Sequence, residues 1–166
     1  ALHGFHELRA YQGVPKTGKL AESQARELVH GYYACVSFVD AQIGKVLDKL
    51  GHLGLSDDTI VIVWGDHGWH LGDHGIWCKH TNYEQATHSP LIISVPNLPA
   101  PGKTDSPVES VDIFPTLCEL AKLPVPKQLE GISLVPILGP LTDTSRESSS
   151  DRTCKTLLAS VGPLHL

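Results

Sequence analysis

A run of six β-branched or aromatic residues, Thr59-Ile60-Val61-Ile62-Val63-Trp64, constrains the fold of this 166-residue chain more than any other feature. The run lacks the polar–apolar alternation of a strand that faces solvent on one side. It therefore predicts a strand covered on both faces, as in a parallel sheet. A second apolar run, Leu91-Ile92-Ile93-Ser94-Val95, ends at Pro96. Together the two runs predict a sheet at the centre of the domain.

Helical patterns flank the two predicted strands. From Glu22 to about His52, apolar residues recur every three or four positions, and Gly54 is a suitable C-terminal stop. A second helix is predicted to begin with Asp112 as its N-cap and to end before Pro124. The order helix, strand, loop, strand, helix is typical of an α/β layered domain. The stripe on the first helix consists of Leu28, Tyr32, Cys35, Val39, Ile43, Val46 and Leu50.

Composition and cysteine spacing limit the kinds of partner and of metal or disulfide site that we expect. The net charge is -5 and no Lys/Arg-rich block occurs, so we expect no nucleic acid partner. No apolar run is long enough to span a bilayer. The four cysteines, Cys35, Cys78, Cys118 and Cys154, form no C-x-x-C pair, which argues against a zinc ribbon or a dense disulfide framework. Cys35 and Cys118 occupy apolar helical positions, which predicts small buried side chains.

Two features predict the domain organisation. The chain contains no Met, even at position 1, and a truncated chain explains this more simply than a processed N-terminus. We expect residues 1–140 to form part of one domain. Residues 141–166 begin with a polar, unpatterned stretch, and we expect them to be a divergent, disordered tail.

The segment from Gly65 to His80 carries the residues best suited to chemistry. It is dense in Gly, His, Asp and Trp, and it follows the first predicted strand, where ligands bind in open α/β sheets. Asp66 and His67 offer an oxygen and a nitrogen ligand on adjacent residues, which is one corner of a metal site. A zinc site made of histidines alone is disfavoured, because the H-E-x-x-H pattern and the other zinc spacings are missing. Singly, His70, His74 and His80 are more typical of hydrogen-bonding loop residues, and Lys79 of a solvated charge.

The stretch Asp66-His67-Gly68-Trp69-His70-Leu71-Gly72-Asp73-His74-Gly75, followed by Trp77 and Lys79, resembles the second active-site signature of sulfatases. Sulfatases belong to the alkaline-phosphatase superfamily. Asp-His at the metal corner is similar to the iduronate-2-sulfatase branch, whereas many sulfatases have Asp-Asn. Further stretches resemble landmarks of that branch in the same order, so that the resemblance covers residues 20–138; they are 31–40, 86–92, 111–117 and 129–134.

The resemblance implies a partial alkaline-phosphatase-like three-layer sandwich, with a central mixed sheet flanked by helices. It implies hydrolysis of sulfate esters on sulfated sugars of the glycosaminoglycan type, through a formylglycine nucleophile and one Ca²⁺. Asp66 and His67 match metal-ligand positions, and Lys79 matches the lysine that binds the substrate sulfate. His88 matches a polar position near the pocket. Since calcium prefers oxygen ligands, His67 is also expected to contact the sulfate or the nucleophile.

The chain also departs from the family pattern. None of its four cysteines begins a C-x-P-S-R or C-x-A-S-R motif, and the paired aspartates of the family's first strand have no counterpart. The resemblance therefore implies a chain that is inactive alone and needs the missing N-terminal half of the same domain as its partner. We then expect an exposed strand edge at Ile60–Trp64 and poor solubility. By family the compartment is lysosomal, periplasmic or secreted.

Two alternatives stay open at this point. A phosphoesterase or phosphomutase of the same superfamily would use a Ser or Thr nucleophile and usually two metals. A non-catalytic remnant would use this part of the domain for metal binding only.

Overall fold

The computed structural model describes residues 6–96, 102–138 and 155–161. The described chain consists of short helices and strands around one long helix and one sheet. The helices are α1 (His6–Ala10), α2 (Glu22–His52), α3 (Glu84–Thr87), α4 (Ile113–Leu120) and α5 (Val135–Leu138). The strands are β1 (Val61–Trp64), β2 (His70–Leu71), β3 (Trp77–Cys78), β4 (Ser89–Val95), β5 (Gly102–Lys103) and β6 (Lys155–Val161).

Four of the strands form one mixed sheet in the order β1-β4-β6-β5. β1 and β6 both run antiparallel to β4, and β5 runs parallel to β6. The mixed sheet agrees with the sequence analysis, but the parallel setting expected for β1 is wrong. After Trp64 the chain leaves the sheet, and it returns as β4 in the opposite direction, with Leu91 opposite Trp64. β1 is thus an edge strand of the described sheet, and its side chains are half-buried or exposed.

The core lies on one face of β4. Leu91, Ile93 and Val95 alternate toward it and are at most 6% exposed, as expected for a strand with one buried face. They pack with side chains from the β1 segment, from the loop before α4, from α4 and from the α5 segment, rather than with α2. The buried partners are Val108, Leu134 and Leu138, and the partly buried ones are Ile60, Ile62, Ile113, Leu120 and Val135.

A buried carboxylate fixes α4 to the segment that follows it. The Asp112 carboxylate accepts hydrogen bonds from the backbone N–H groups of Glu109 (2.9 Å) and Ile132 (2.8 Å). Thr116 extends the link, because its hydroxyl donates to the Asp112 carbonyl and accepts from the N–H of Leu134 (2.8 Å). Asp112 is therefore the residue before α4, as predicted, but its side chain does not cap that helix. It closes the turn before the helix and holds residue 132 instead.

Helix α2 has the predicted bounds but not the predicted surroundings. It begins at Glu22 and ends at His52, and Gly54 follows in the left-handed conformation (φ 68°) that ends helices. No residue of α2 is buried, and its described packing is against β2 and the preceding Trp69. The expectation that Cys35 is buried is wrong, because it lies on this open stripe, whereas Cys118 is 7% exposed as predicted. In the described part of the chain, no helix combines the length and apolar character needed to cross a membrane.

The C-terminal region differs from the expected disordered tail at residues 155–161. These residues form β6, which pairs along the whole of β4, from Val161 opposite Ser89 to Lys155 opposite Val95. The physical reason is that β4 has a second edge of backbone N–H and C=O groups, and β6 satisfies them. Cys154 and the polar stretch 142–150 lie outside the described residues.

We predict that the apolar stripe of α2 makes this chain self-associate. Val39 and Val46 lie seven residues apart on the stripe and are 52% and 68% exposed. Exposed apolar patches of this kind drive association. Changing both to Glu should shift the chain toward monomer in sedimentation velocity experiments. Glutamates at Ser37 and Ala41, on the opposite face of α2, add the same charge and should leave the association unchanged. Equal effects of the two pairs would refute a role for the stripe.

Candidate functional site

The candidate site begins where β1 is joined to the start of β4. The N–H of Gly65 donates to the carbonyl of Pro90 (2.9 Å), and the Ser89 hydroxyl donates to the carbonyl of Gly65 (2.7 Å). A side chain at position 65 would lie 3.2 Å from both Ser89 and Pro90, so glycine allows this close approach. Residues 65 and 89 are thereby held together, and the chain between them forms a closed excursion above the sheet.

Asp66 and His67 form the first corner of this excursion. The His67 Nε2 lies 3.7 Å from the Asp66 Oδ1, and their side chains are 32% and 73% exposed. The His67 Nδ1 lies 2.8 Å from the carbonyl oxygen of Gly68. Because a carbonyl only accepts, Nδ1 must carry the hydrogen. In the neutral imidazole, Nε2 then presents a lone pair beside the Asp66 carboxylate.

Gly68 packs the corner against α3. Its N–H donates to the carbonyl of Ala86 (2.7 Å). A Cβ at this position would lie only 2.2 Å from the backbone oxygen of Gln85. No side chain fits there without moving backbone, so glycine at position 68 sets the distance between the corner and α3.

The indole of Trp69 lies at the centre of the site. The imidazole of His67 stacks on it with ring centroids 6.0 Å apart, and the Tyr32 ring of α2 stacks at 6.4 Å. The Lys79 ammonium lies 5.9 Å from the indole centroid, within the range of a cation–π interaction. Trp69 thus brings His67, from the first part of the excursion, near Lys79, from the second.

A short hairpin, β2 and β3, connects these two parts. His70 pairs with Cys78 across it, and both are almost completely buried. His70 Nε2 lies 2.7 Å from the Thr81 hydroxyl, whereas its Nδ1 is buried with no described partner. Burial lowers the pKa of His70, since a charged imidazole would lose its hydration. Burial likewise raises the pKa of the Cys78 thiol to about 11, which makes it an unreactive structural cysteine.

Two further histidines pair with carboxylates. The His88 Nδ1 lies 3.0 Å from Glu84 Oε1 within α3 and its C-cap, while the His88 backbone oxygen approaches Gly68. The structure therefore places His88 beside the corner through its backbone and turns its imidazole to Glu84. His80, next to Lys79, has its Nε2 2.8 Å from the Oε2 of Glu7 in α1.

The arrangement can supply some of the ligands of a cation and can bind an anion. Asp66 Oδ1 and His67 Nε2 are close enough to bind one divalent ion together, and Lys79 supplies a positive charge beside Trp69. Within residues 6–96, 102–138 and 155–161, however, no group of three His, Cys, Asp or Glu side chains could hold a metal. Asp66 and His67 thus fit a metal as one corner, and a complete calcium shell of 6–8 oxygens needs further ligands.

Of the predicted site residues Asp66, His67, Lys79 and His88, the structure places His67 and Lys79 against Trp69 and Asp66 beside His67. The central position of Trp69 was missed, although the residue was part of the recognised stretch. Tyr32, Glu7 and Glu84 were missed as well. The only sequence signal at Tyr32 was its place in the apolar stripe of α2. Glu7 and His80 lie more than 70 residues apart, and a single sequence carries no signal for a contact at that separation.

The sequence model of a family described as Sulfatase matches residues 1–123. The chain is similar to a sulfatase of Formosa agariphila, with 44% identity over 110 residues that cover 66% of this chain and 22% of that protein. It is also similar to the iduronate 2-sulfatase of Mus musculus, with 39% identity and coverages of 66% and 24%. The chain thus spans about a quarter of the length of the curated relatives it matches.

Among solved structures, the chain is similar to BT4656 in complex with its substrate D-glucosamine-2-N,6-O-disulfate. The TM-score is 0.52 and the sequence identity 31%, over 71% of this chain and 23% of that one. The similarity supports the alkaline-phosphatase-like fold class predicted from the sequence.

We predict that Gly68→Ala destabilises the chain. The new methyl group would overlap the Gln85 carbonyl, and overpacking of this kind costs about 1–3 kcal/mol. Chemical denaturation monitored by circular dichroism measures the loss. Gly44→Ala is the matched control, because a Cβ at Gly44 in α2 meets nothing within 4 Å. There the same change should stabilise by about 0.5–1 kcal/mol. Similar shifts in both variants would contradict the packing of Gly68 against α3.

Proposed function

This chain belongs to the sulfatase family, and from that membership we propose that the protein it represents hydrolyses sulfate esters of sugars. The observation that carries the proposal is that His67 and Lys79 both lie against Trp69, with Asp66 beside His67 at the end of β1. A pair of residues that can bind a cation, together with a lysine in the same site, suits a negatively charged group such as a sulfate ester.

Lys79 is proposed to bind the sulfate oxygens. Lys79 is a half-buried residue with its ammonium beside an indole face, where water screens a charge less than at an open surface. Sulfate oxygens gain negative charge as the ester bond breaks, so a fixed ammonium stabilises the transition state more than the bound ester. The ring of Trp69 limits where the ammonium can lie and thereby orients it before substrate arrives.

Asp66 and His67 are proposed to hold one divalent cation, with Ca²⁺ as the expected ion. When bound, such an ion would neutralise charge on the sulfate group. The chain's own contribution is the geometry of the corner. The Gly68 carbonyl fixes the His67 tautomer that leaves Nε2 available, and the Asp66 carboxylate lies open to solvent and to a ligand. His67 is also proposed to contact the sulfate or the nucleophile.

The substrate class is proposed to be sulfated sugars, in an iduronate-2-sulfatase-like manner. Support comes from the Asp66-His67 pair and from relatives named iduronate 2-sulfatase in mouse and human. BT4656, the structural relative, is described with a disulfated glucosamine as its substrate. We further propose a formylglycine as nucleophile. Because no cysteine of this chain lies in the required motif, the 166 residues alone are proposed to be inactive.

We predict that Lys79→Ala in the full-length gene product, whether it is this chain or a longer polypeptide containing it, lowers sulfate release. The substrates would be a chromogenic aryl sulfate and a sulfated glucosamine, with sulfate measured by ion chromatography. Loss of one group that stabilises transition-state charge costs about 10²–10³-fold in kcat. Lys103→Ala removes an exposed lysine that pairs with Asp105 and serves as the control.

The outcomes separate the proposed activity from its alternative. Release of sulfate that depends on Lys79 but not on Lys103 supports the proposal. Release of phosphate from an aryl phosphate, with no sulfate release from either ester, would instead identify a phosphoesterase of the same superfamily.

We predict that Asp66→Asn weakens calcium binding by the full-length gene product, measured by isothermal titration calorimetry. Even partners outside the ligand shell are worth about 10–100-fold in metal affinity, so loss of a ligand charge should cost at least that much. Asp58→Asn removes the same charge from the exposed turn before β1 and should leave the affinity unchanged. Calcium binding that is equal in both variants would place the ion away from Asp66.

A further inference from the structure

We propose that α1 is a positioning element for Lys79, with Glu7 holding His80 and Leu8 holding Cys78 on either side of it. The lysine is thereby fixed through both of its chain neighbours by one short helix. Its purpose rests on the proposed function, in which Lys79 binds the sulfate. Glu7 would be a positioning residue, since it contacts His80 rather than Lys79 or the sulfate.

The backbone before Lys79 requires such support. Cys78 has φ 69°, a left-handed conformation that residues with a Cβ rarely adopt. A residue persists there only when its surroundings hold it. Here Cys78 is 1% exposed, and β3 packs against α1, which places the Leu8 backbone beside the sulfur. Leu8 is itself buried, at 7% exposure, so this contact is a packed one.

On the other side of Lys79, a close contact with Glu7 holds His80. The His80 Nε2 lies 2.8 Å from the Glu7 Oε2, and this oxygen is shielded from solvent without a hydrogen bond of good geometry. A buried carboxylate oxygen is costly unless a polar partner compensates it. The contact with the Glu7 carboxylate therefore keeps the His80 ring in place.

The two contacts direct the Lys79 side chain. With residues 78 and 80 both tied to α1, rotation of the Lys79 backbone is restricted, and the ammonium lies over Trp69 at 5.9 Å. Without the ties the flexible four-carbon stem would leave the ammonium free to sample solvent. α1 thus influences the position of the Lys79 ammonium through residues 78 and 80.

The test uses lysine methyl signals of this chain in solution. Reductive methylation with ¹³C-formaldehyde turns each lysine into a dimethylamine that keeps its charge. The Lys79 signal, assigned by its absence in Lys79→Arg, should be displaced upfield by the Trp69 ring. We expect Glu7→Gln to reduce this displacement by more than half. His80→Gln cuts the same pair from its half-exposed side and should do the same, even if Glu7→Gln fails to fold.

Rescue and a matched control exclude a merely structural effect. The double variant Glu7→His with His80→Glu restores the pair in reverse order and should restore the displacement. Glu22→Gln breaks the exposed ion pair of α2 with Arg26 and should leave the Lys79 signal unchanged. An undiminished displacement in folded Glu7→Gln or His80→Gln would overturn the proposal.

Activity separates this inference from the proposed function. In the full-length gene product, Glu7→Gln should lower kcat for sulfate release by about tenfold or more, because misplacement by 1 Å can cost about 100-fold. An enzyme that releases sulfate equally well with and without Glu7 would refute the positioning role alone. A protein that releases no sulfate, yet shows the Glu7-dependent Lys79 signal, would refute the function and leave the positioning intact.

Discussion

The antiparallel pairing of β1 with β4 is the constraint on which the candidate site depends. It fixes the two ends of the excursion 65–88, and the hydrogen bonds between Gly65, Ser89 and Pro90 close it at its base. Closing a loop of this length costs only a little more entropy than closing a shorter one, since closure entropy grows only slowly with length. Gly68 adds a second attachment, to α3, so that the Asp66–His67 corner is held from below and from the side.

The second half of the excursion is held by different means. Cys78 occupies a left-handed conformation, and strain of this kind costs about 1–3 kcal/mol. Pairing with His70 in the hairpin, burial of the thiol and the contact with Leu8 offset that cost. Strained residues that are held by several contacts at once commonly mark sites where a neighbouring side chain must be placed accurately. Here that neighbour is Lys79, the only cation described against the face of Trp69 among the residues that the structure covers.

Sequence reasoning predicted the elements better than their environments. The periodicity of α2 gave its bounds because helical spacing is a local property, and Asp66 and His67 stood out because they are adjacent in sequence. The direction of β1 relative to β4 was missed, since an apolar run carries no information about strand direction. β6 was missed because its structure depends on the open edge of β4, far away in the chain. Glu7 was missed because its partner, His80, is likewise far away in the chain.

The stripe of α2 shows what hydrophobic periodicity does and does not report. Its residues recur as they would on a helix that packs one face against a core, yet none of them is buried by the described chain. Most helical stability in proteins comes from packing an apolar face rather than from intrinsic propensity. A 31-residue helix selected for such packing therefore indicates contacts beyond those of the described residues. The half-exposed Trp64 at the open edge of β1 points the same way. Neither the surface that would bury α2 nor a third His, Cys, Asp or Glu ligand for the proposed metal is found among the residues that the structure describes.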